Sequence, residues 1–244
     1  MAFIIFSRIS TLDRNIKAGE YLFKKNITLS QTISQLTKGD NYYRKITIPE
    51  GLTVKEISKL INKNAFLSGQ VIYKELTEGS LFPDTYFFSR DDHVHSIIKR
   101  MQKRMNNQIR EILKENINIL QNKEQLIIFA SIIEAEAKYK NEKSLISSVF
   151  HNRIKKGMKL QSDPTVLYGK NIFLENKTTD IFKSDLKAKT PWNTYIIKGL
   201  PETAICNPGK DAIEAALNPS VTDFLYFVSN GKGGHKFSST LEEH

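Results

Sequence analysis

In the stretch QLIIFASIIEAEAKY, residues 125–139, a carboxylic acid closes a long apolar run. The eight positions from Leu126 to Ile133 are uncharged and nearly all apolar, then Glu134 follows, with Glu136 two residues on. On a helix, Glu134 stands four residues from Ala130 and seven from Ile127, so its carboxyl leaves from a face that two turns have made apolar. Desolvation penalises the charged form of an acid. Such a site raises the pKa toward the range where the group holds a proton at neutral pH and can donate it. Glu136 lies about 200° further round the helix and faces elsewhere, so the two acids are not expected to form a catalytic pair. The residues leave a plainer alternative open: the helix emerges into water after Ile133, and EAEAKYKNEK is an ordinary polar end.

Two downstream segments carry groups suited to sugars. LQSDPT supplies Gln161, Ser162 and Asp163 at a proline-fixed turn, and PWNTY supplies Trp192, Asn193, Thr194 and Tyr195. Amides and carboxylates bond paired hydroxyls, and aromatic faces stack on the apolar side of a pyranose. Each has a structural alternative: Asp163 as a turn cap before Pro164, Trp192 as core, Asn193 as a partner for backbone.

These residues need elements to hold them. The segments 18–39 and 43–64 read as related units, each a short β-rich run, a turn, a threonine in N-cap position (Thr28, Thr53) and a helical apolar pattern. Val54, Ile57, Leu60 and Ile61 form the stripe of the second. Residues 76–92 read as a loop with aromatics and a Pro-Asp turn. The pattern turns helical from about 93: Ile97, Ile98, Met101, Met105, Ile109, Ile112 and Leu113 line one face of 95–116. Further helices are expected over 123–138, over 141–157 with Gly157 as the stop, and over 210–219. Residues 158–169 read as extended, 190–209 as loop, and DFLYFVSNGKGGHKFSS as a hairpin. Grouped strands and grouped helices, with no βαβ series, indicate α+β.

Composition bounds the function. At 244 residues and 40% hydrophobic the chain has enough apolar mass for a real core. A net charge of +10 favours polyanions, including a carboxylate-bearing polymer, yet no RNP, helix-turn-helix or zinc-finger signature accompanies it, and no nucleic-acid partner is expected. There is no P-loop, dinucleotide glycine fingerprint, HExxH, paired CxxC or GxSxG. The histidines (His93, His95, His151, His235, His244) are scattered, so no metal and no cofactor are expected. A single cysteine, Cys206, excludes an internal disulfide. The opening MAFIIFSRIS has only a six-residue apolar run, short for a spanning helix or a signal core.

The quoted motifs taken together, ASIIEAEA, SVFHNRIKKGMKLQSDPTVLYG, NTYIIKGLPETAICNPG, AALNPS and LYFVSNGKGGHKF, resemble the endolytic peptidoglycan transglycosylase family (MltG or YceG-like). KAGEYLF, IPEGLTVKEI and FPDTYFF extend the resemblance over nearly the whole chain. It implies a small LysM-like N-terminal β/α part with its connecting loop (1–92) and a mixed helical and β catalytic domain (93–244). It implies a lyase that cuts the MurNAc–GlcNAc β-1,4 bond within glycan strands, without water, leaving 1,6-anhydro-MurNAc ends and terminating strand growth. The family's catalytic glutamate corresponds to Glu134, with Gln161, Asp163, Asn193, Tyr195 and Glu136 expected as substrate-binding residues. Peptidoglycan strands and peptidoglycan synthases are the implied partners. The implied location is the periplasmic face of the bacterial inner membrane, with an N-terminal anchor that these residues do not contain, so trimmed ends are expected. The chain departs from the family pattern at Ala137, Glu202 and Ala204. A non-catalytic peptidoglycan-binding scaffold using the LysM-like units is the alternative.

Overall fold

The computed structural model describes residues 15–115, 122–172, 174 and 177–244. The residues MAFIIFSRIS at the start lie outside it.

Two threonine-capped helices come first among the described residues. Helix α1 (Leu29–Lys38) and helix α2 (Val54–Asn62) each begin with a full capping box, Thr28 with Gln31 and Thr53 with Glu56, which satisfies donors that a helix start leaves orphaned. Strand β1 (Arg44–Thr47) precedes α2 as expected, whereas no strand precedes α1 among the described residues. There the backbone of 17–20 instead ties to Leu36 and Tyr42, and Glu20 pairs with Arg44. The expected loop of 76–92 contains strand β2 (Thr85–Phe88), antiparallel to β1 with Arg44 opposite Phe88 and Thr47 opposite Thr85. Alternation explains it: Tyr86 and Phe88 turn inward while Phe87 stays exposed.

Helix α3 (Val94–Glu115) joins the two cores. Its first half gives Val94, Ile97, Ile98 and Met101 to a core with Ile57, Ile61, Leu81 and Phe88; its second half gives Met105, Ile109 and Ile112 to a larger one. At the centre of the larger core lies helix α4 (Lys123–Glu136), every residue of which from Leu126 to Ile133 is buried. Helices α5 (Lys143–Lys155), α6 (Asp163–Asn171) and α7 (Lys210–Leu217) pack around it. Each fully buried Leu, Ile or Phe stabilises by roughly 1.5–3 kcal/mol, so the end of α4 is a rigid mount for whatever it carries.

Helix α6 corrects the extended reading of 158–169. Pro164 sits in its first turn, where a missing N–H costs nothing. The chain closes with the expected hairpin, β3 (Tyr226–Ser229) against β4 (His235–Ser238). Helices beside two small antiparallel sheets make the fold α+β. No helix among the described residues is long and apolar enough to cross a membrane.

Candidate functional site

Glu134 occupies the last turn of α4 with a side chain only 7% exposed. Lys143, at the start of α5, donates to both of its carboxyl oxygens at 2.9 Å, and the Gly209 N–H donates to Oε2 at 3.0 Å. Burial pushes the Glu134 pKa up, Lys143 and Gly209 pull it back, Glu50 pushes it up again, and the net direction is upward. The expected buried acid is therefore present, with a counter-ion that sequence reasoning missed. Lys143 is itself 5% exposed, and its ammonium also reaches Glu50 Oε2 at 3.4 Å.

Distant segments converge here through Asn207. Its backbone N–H and its side-chain Nδ2 both donate to Leu52 O at 2.9 Å, Nδ2 also donates to Glu78 Oε1 at 3.0 Å, and Oδ1 accepts from the Leu81 N–H at 2.8 Å. The Gly51 N–H donates to Asn207 O at 3.0 Å. Asn207 is fully buried, and this knot sets the β1–α2 loop, with Glu50, against the start of α7. Glu78 also accepts from the Val54 N–H and the Tyr168 hydroxyl, and burial raises its pKa to about 7.

Glu136 leaves α4 in another direction and takes other partners. The Ser162 hydroxyl donates to it at 2.6 Å, and burial, with Asp163 nearby, raises its pKa to about 7. Asp163 accepts from the Tyr195 hydroxyl at 2.7 Å, and Gln161, at a left-handed φ of 52°, accepts from Arg153 at 3.1 Å through its side-chain oxygen. Thr194 stitches the two segments, receiving the Ser162 N–H and sharing a 2.9 Å bond with Thr165. Asn193 lies beneath, 1% exposed: its amide donates to the carbonyls of Asp185, Leu186 and Ala188 and its oxygen accepts the Tyr195 N–H. Trp192 packs edge-on against Tyr168 and donates to Thr203. The structure thus gathers Glu136, Gln161, Asp163 and Tyr195 into one polar cluster, with Asn193 supporting its backbone.

Two half-buried carboxyls predict a pH dependence. An acid whose folded pKa exceeds its unfolded value stabilises fully below the unfolded value, and that stability is lost as pH rises through the folded one. For Glu78 and Glu136 the window runs from the ordinary 4.5 to about 7. Each contributes on the order of 3 kcal/mol across it. Urea unfolding should therefore show stability falling as pH climbs through this window; a rise would contradict the desolvation of both groups.

No cluster of three or more His, Cys, Asp or Glu suited to a metal occurs among the described residues. Comparison with known proteins matches the YceG-like family over residues 1–244. A Bacillus subtilis protein described as an endolytic murein transglycosylase is 35% identical, the match covering 93% of this chain and 71% of that protein. A Streptococcus pneumoniae serotype 2 protein of the same description is 27% identical, covering 94% of this chain and 49% of its own length, so the chain spans about half of that relative. A crystal structure of a yceG-like protein from Listeria monocytogenes has a TM-score of 0.69 at 30% identity, covering 100% of this chain and 88% of that one.

Proposed function

The chain belongs to the YceG-like family, and from that premise we propose that it is an endolytic murein transglycosylase with Glu134 as its acid. Its substrate is the MurNAc–GlcNAc β-1,4 bond inside a peptidoglycan strand. Protonated Glu134 donates to the glycosidic oxygen, positive charge develops at the anomeric carbon, and the resulting carboxylate takes the proton of the sugar's own C6 hydroxyl as that oxygen attacks. The C–O bond to the leaving sugar breaks, the 1,6-anhydro bond forms, and Glu134 ends protonated as it began. Ordinary glycoside hydrolysis needs a second carboxylate to activate water or to form a covalent intermediate; an internal nucleophile removes that need.

The observation that carries this reading is the setting of Glu134. A buried acid favours its neutral form, while Lys143 and the Gly209 N–H wait at 2.9 and 3.0 Å for the carboxylate that forms when the proton leaves. Donors fixed where charge develops lower the barrier without reorganising. Gln161, Asp163, Tyr195 and Glu136 form the polar surface for sugar hydroxyls, and Asn193 serves that set by holding its backbone. The reading keeps 1–92 as a LysM-like part and 93–244 as the catalytic part, acting at the periplasmic face of the inner membrane beside peptidoglycan synthases.

Digestion of glycan strands in heavy-oxygen water tests the reaction type. Transglycosylation gives anhydro ends that carry no solvent oxygen. Reducing ends one water heavier, bearing the label, would mean hydrolysis; strands bound but uncut would turn the assignment to a peptidoglycan-binding scaffold.

A further inference from the structure

Two carboxylates face one buried ammonium. Lys143 bonds Glu134 at 2.9 Å through both oxygens and reaches Glu50 at 3.4 Å. Their settings differ: the Glu134 side chain is 7% exposed and that of Glu50 46%. Glu50 arrives from the β1–α2 loop, ninety-three residues from Lys143, on a turn closed by Gly51 in the left-handed region at φ 77°. From the other side, Gly209 leaves room for it. A Cβ on Gly209 would fall 1.8 Å from Glu50 Oε1, so a larger residue would push the carboxyl away from Lys143. The same Gly209 gives its N–H to Glu134, and so borders both acids.

Charge counting defines what Glu50 can do. When Glu134 takes up a proton, Lys143 loses its ionic partner, and a buried ammonium without one is costly. Glu50 supplies a second partner. We propose that Glu50 is a positioning residue of the reaction: it holds the Lys143 ammonium while Glu134 carries its proton and yields it back as Glu134 becomes a carboxylate. This rests on the reading of Glu134 as the acid. The other charged groups nearby have partners of their own: Lys140 pairs with Asp211 at 2.7 Å, Glu214 of α7 pairs with Lys210 at 3.3 Å, and burial holds the Cys206 thiol neutral. Glu50 sits on the β1–α2 loop that Asn207 holds against the start of α7, so its reach to Lys143 depends on those bonds.

The test is the pH dependence of kcat and KM on soluble glycan strands for wild type, Glu50→Gln and Gly209→Ala, each first checked for cooperative thermal unfolding. With Glu50 neutral, Lys143 commits to Glu134 and favours its ionised form. The alkaline limb of kcat should move to lower pH, with a loss of about tenfold or more at mildly alkaline pH, recovery toward the wild-type rate in acid, and KM within about twofold. Gly209→Ala, which keeps Glu50 but displaces it, should move the limb the same way, and carries the test if Glu50→Gln does not fold. Glu50→Asp should restore part of the rate. Equal loss at every pH with the limb unmoved, a change confined to KM, or no change would each overturn the proposal. Anhydro products from wild type together with an unmoved limb would remove the role of Glu50 alone. Labelled reducing ends from wild type would remove the reaction reading, and the role of Glu50 with it.

Discussion

Glu134→Gln should fold as wild type does and cut no strands. The substitution is nearly isosteric, and the new amide oxygen can still accept from Lys143 or from the Gly209 N–H, which both bond the native carboxyl. Lys143 keeps Glu50 as an ionic partner. Ionisation of Glu134 is disfavoured by its burial, so a neutral side chain there is not expected to lower stability at neutral pH. What the amide cannot do is give up a proton to the glycosidic oxygen or recover one from the C6 hydroxyl. A positioned acid or base contributes about 10²–10⁴-fold, and here one group serves both steps, so kcat should fall by about 10³-fold or more. Turnover measured on defined strands, with thermal unfolding of the same preparation, checks both halves of this expectation.

Lys143→Met should act in the opposite sense on stability and on pH. It strips the counter-ion from a carboxyl that is 7% exposed, and breaking a buried pair by removing one partner costs about 3–5 kcal/mol. Acid limits the damage, because Lys143 is what holds the Glu134 pKa down against burial; without it Glu134 protonates more readily. Urea unfolding should thus show a large deficit at alkaline pH that shrinks as pH falls. The alkaline limb of kcat should move to higher pH, the reverse of the Glu50→Gln shift, while the maximal rate falls about 10–100-fold because the emerging carboxylate loses its strongest donor. A stability deficit independent of pH would mean that Lys143 acts by packing and not by charge.

Elements written in local patterns are legible in the amino-acid sequence itself. The run Leu126–Ile133 announces a hydrophobic helix, Thr53 announces a capped start, and Gly157, at a left-handed φ of 67°, announces a stop. Strand β2 is hidden because four residues, Thr85–Phe88, sit between the turn signals Pro83-Asp84 and Arg90-Asp91-Asp92, and those dominate a short window. Helix α6 is hidden by a proline with two meanings: after Ser162-Asp163, Pro164 reads equally as a turn or as a first helical turn. A Ser-Asp-Pro sequence leading into an apolar stretch is the signal that could have found it.

The site divides along the same line. Glu134 is only half visible: its own helix puts it on an apolar face, but the same residues equally allow a helix end that emerges into water. Lys143 is not visible at all, because its partnership depends on how α4 and α5 cross, and a lysine in KNEKSL looks like any solvated one. Glu50 and Gly209 come from far along the chain in both directions, Gly209 being seventy-five residues from Glu134, and tertiary bonds such as the Asn207 knot bring them together. A motif quoted for its resemblance, such as IPEG or NPG, marks the place but not the contact. The grouping of Glu136 with Ser162, Asp163 and Tyr195 likewise needs tertiary packing, since Glu136 has only its helical phase to indicate where it points.

The most direct test is mass spectrometry of purified, uncrosslinked glycan strands after incubation with the wild-type chain and, in parallel, with Glu134→Gln. Internal fragments ending in 1,6-anhydro-MurNAc from wild type, and intact strands from a folded Glu134→Gln, are the expected result and would tie both the reaction and its acid to this site. Anhydro fragments released at the wild-type rate by Glu134→Gln would contradict it outright, leaving the buried acid at the end of α4 as a structural ion pair with Lys143 and placing the chemistry elsewhere.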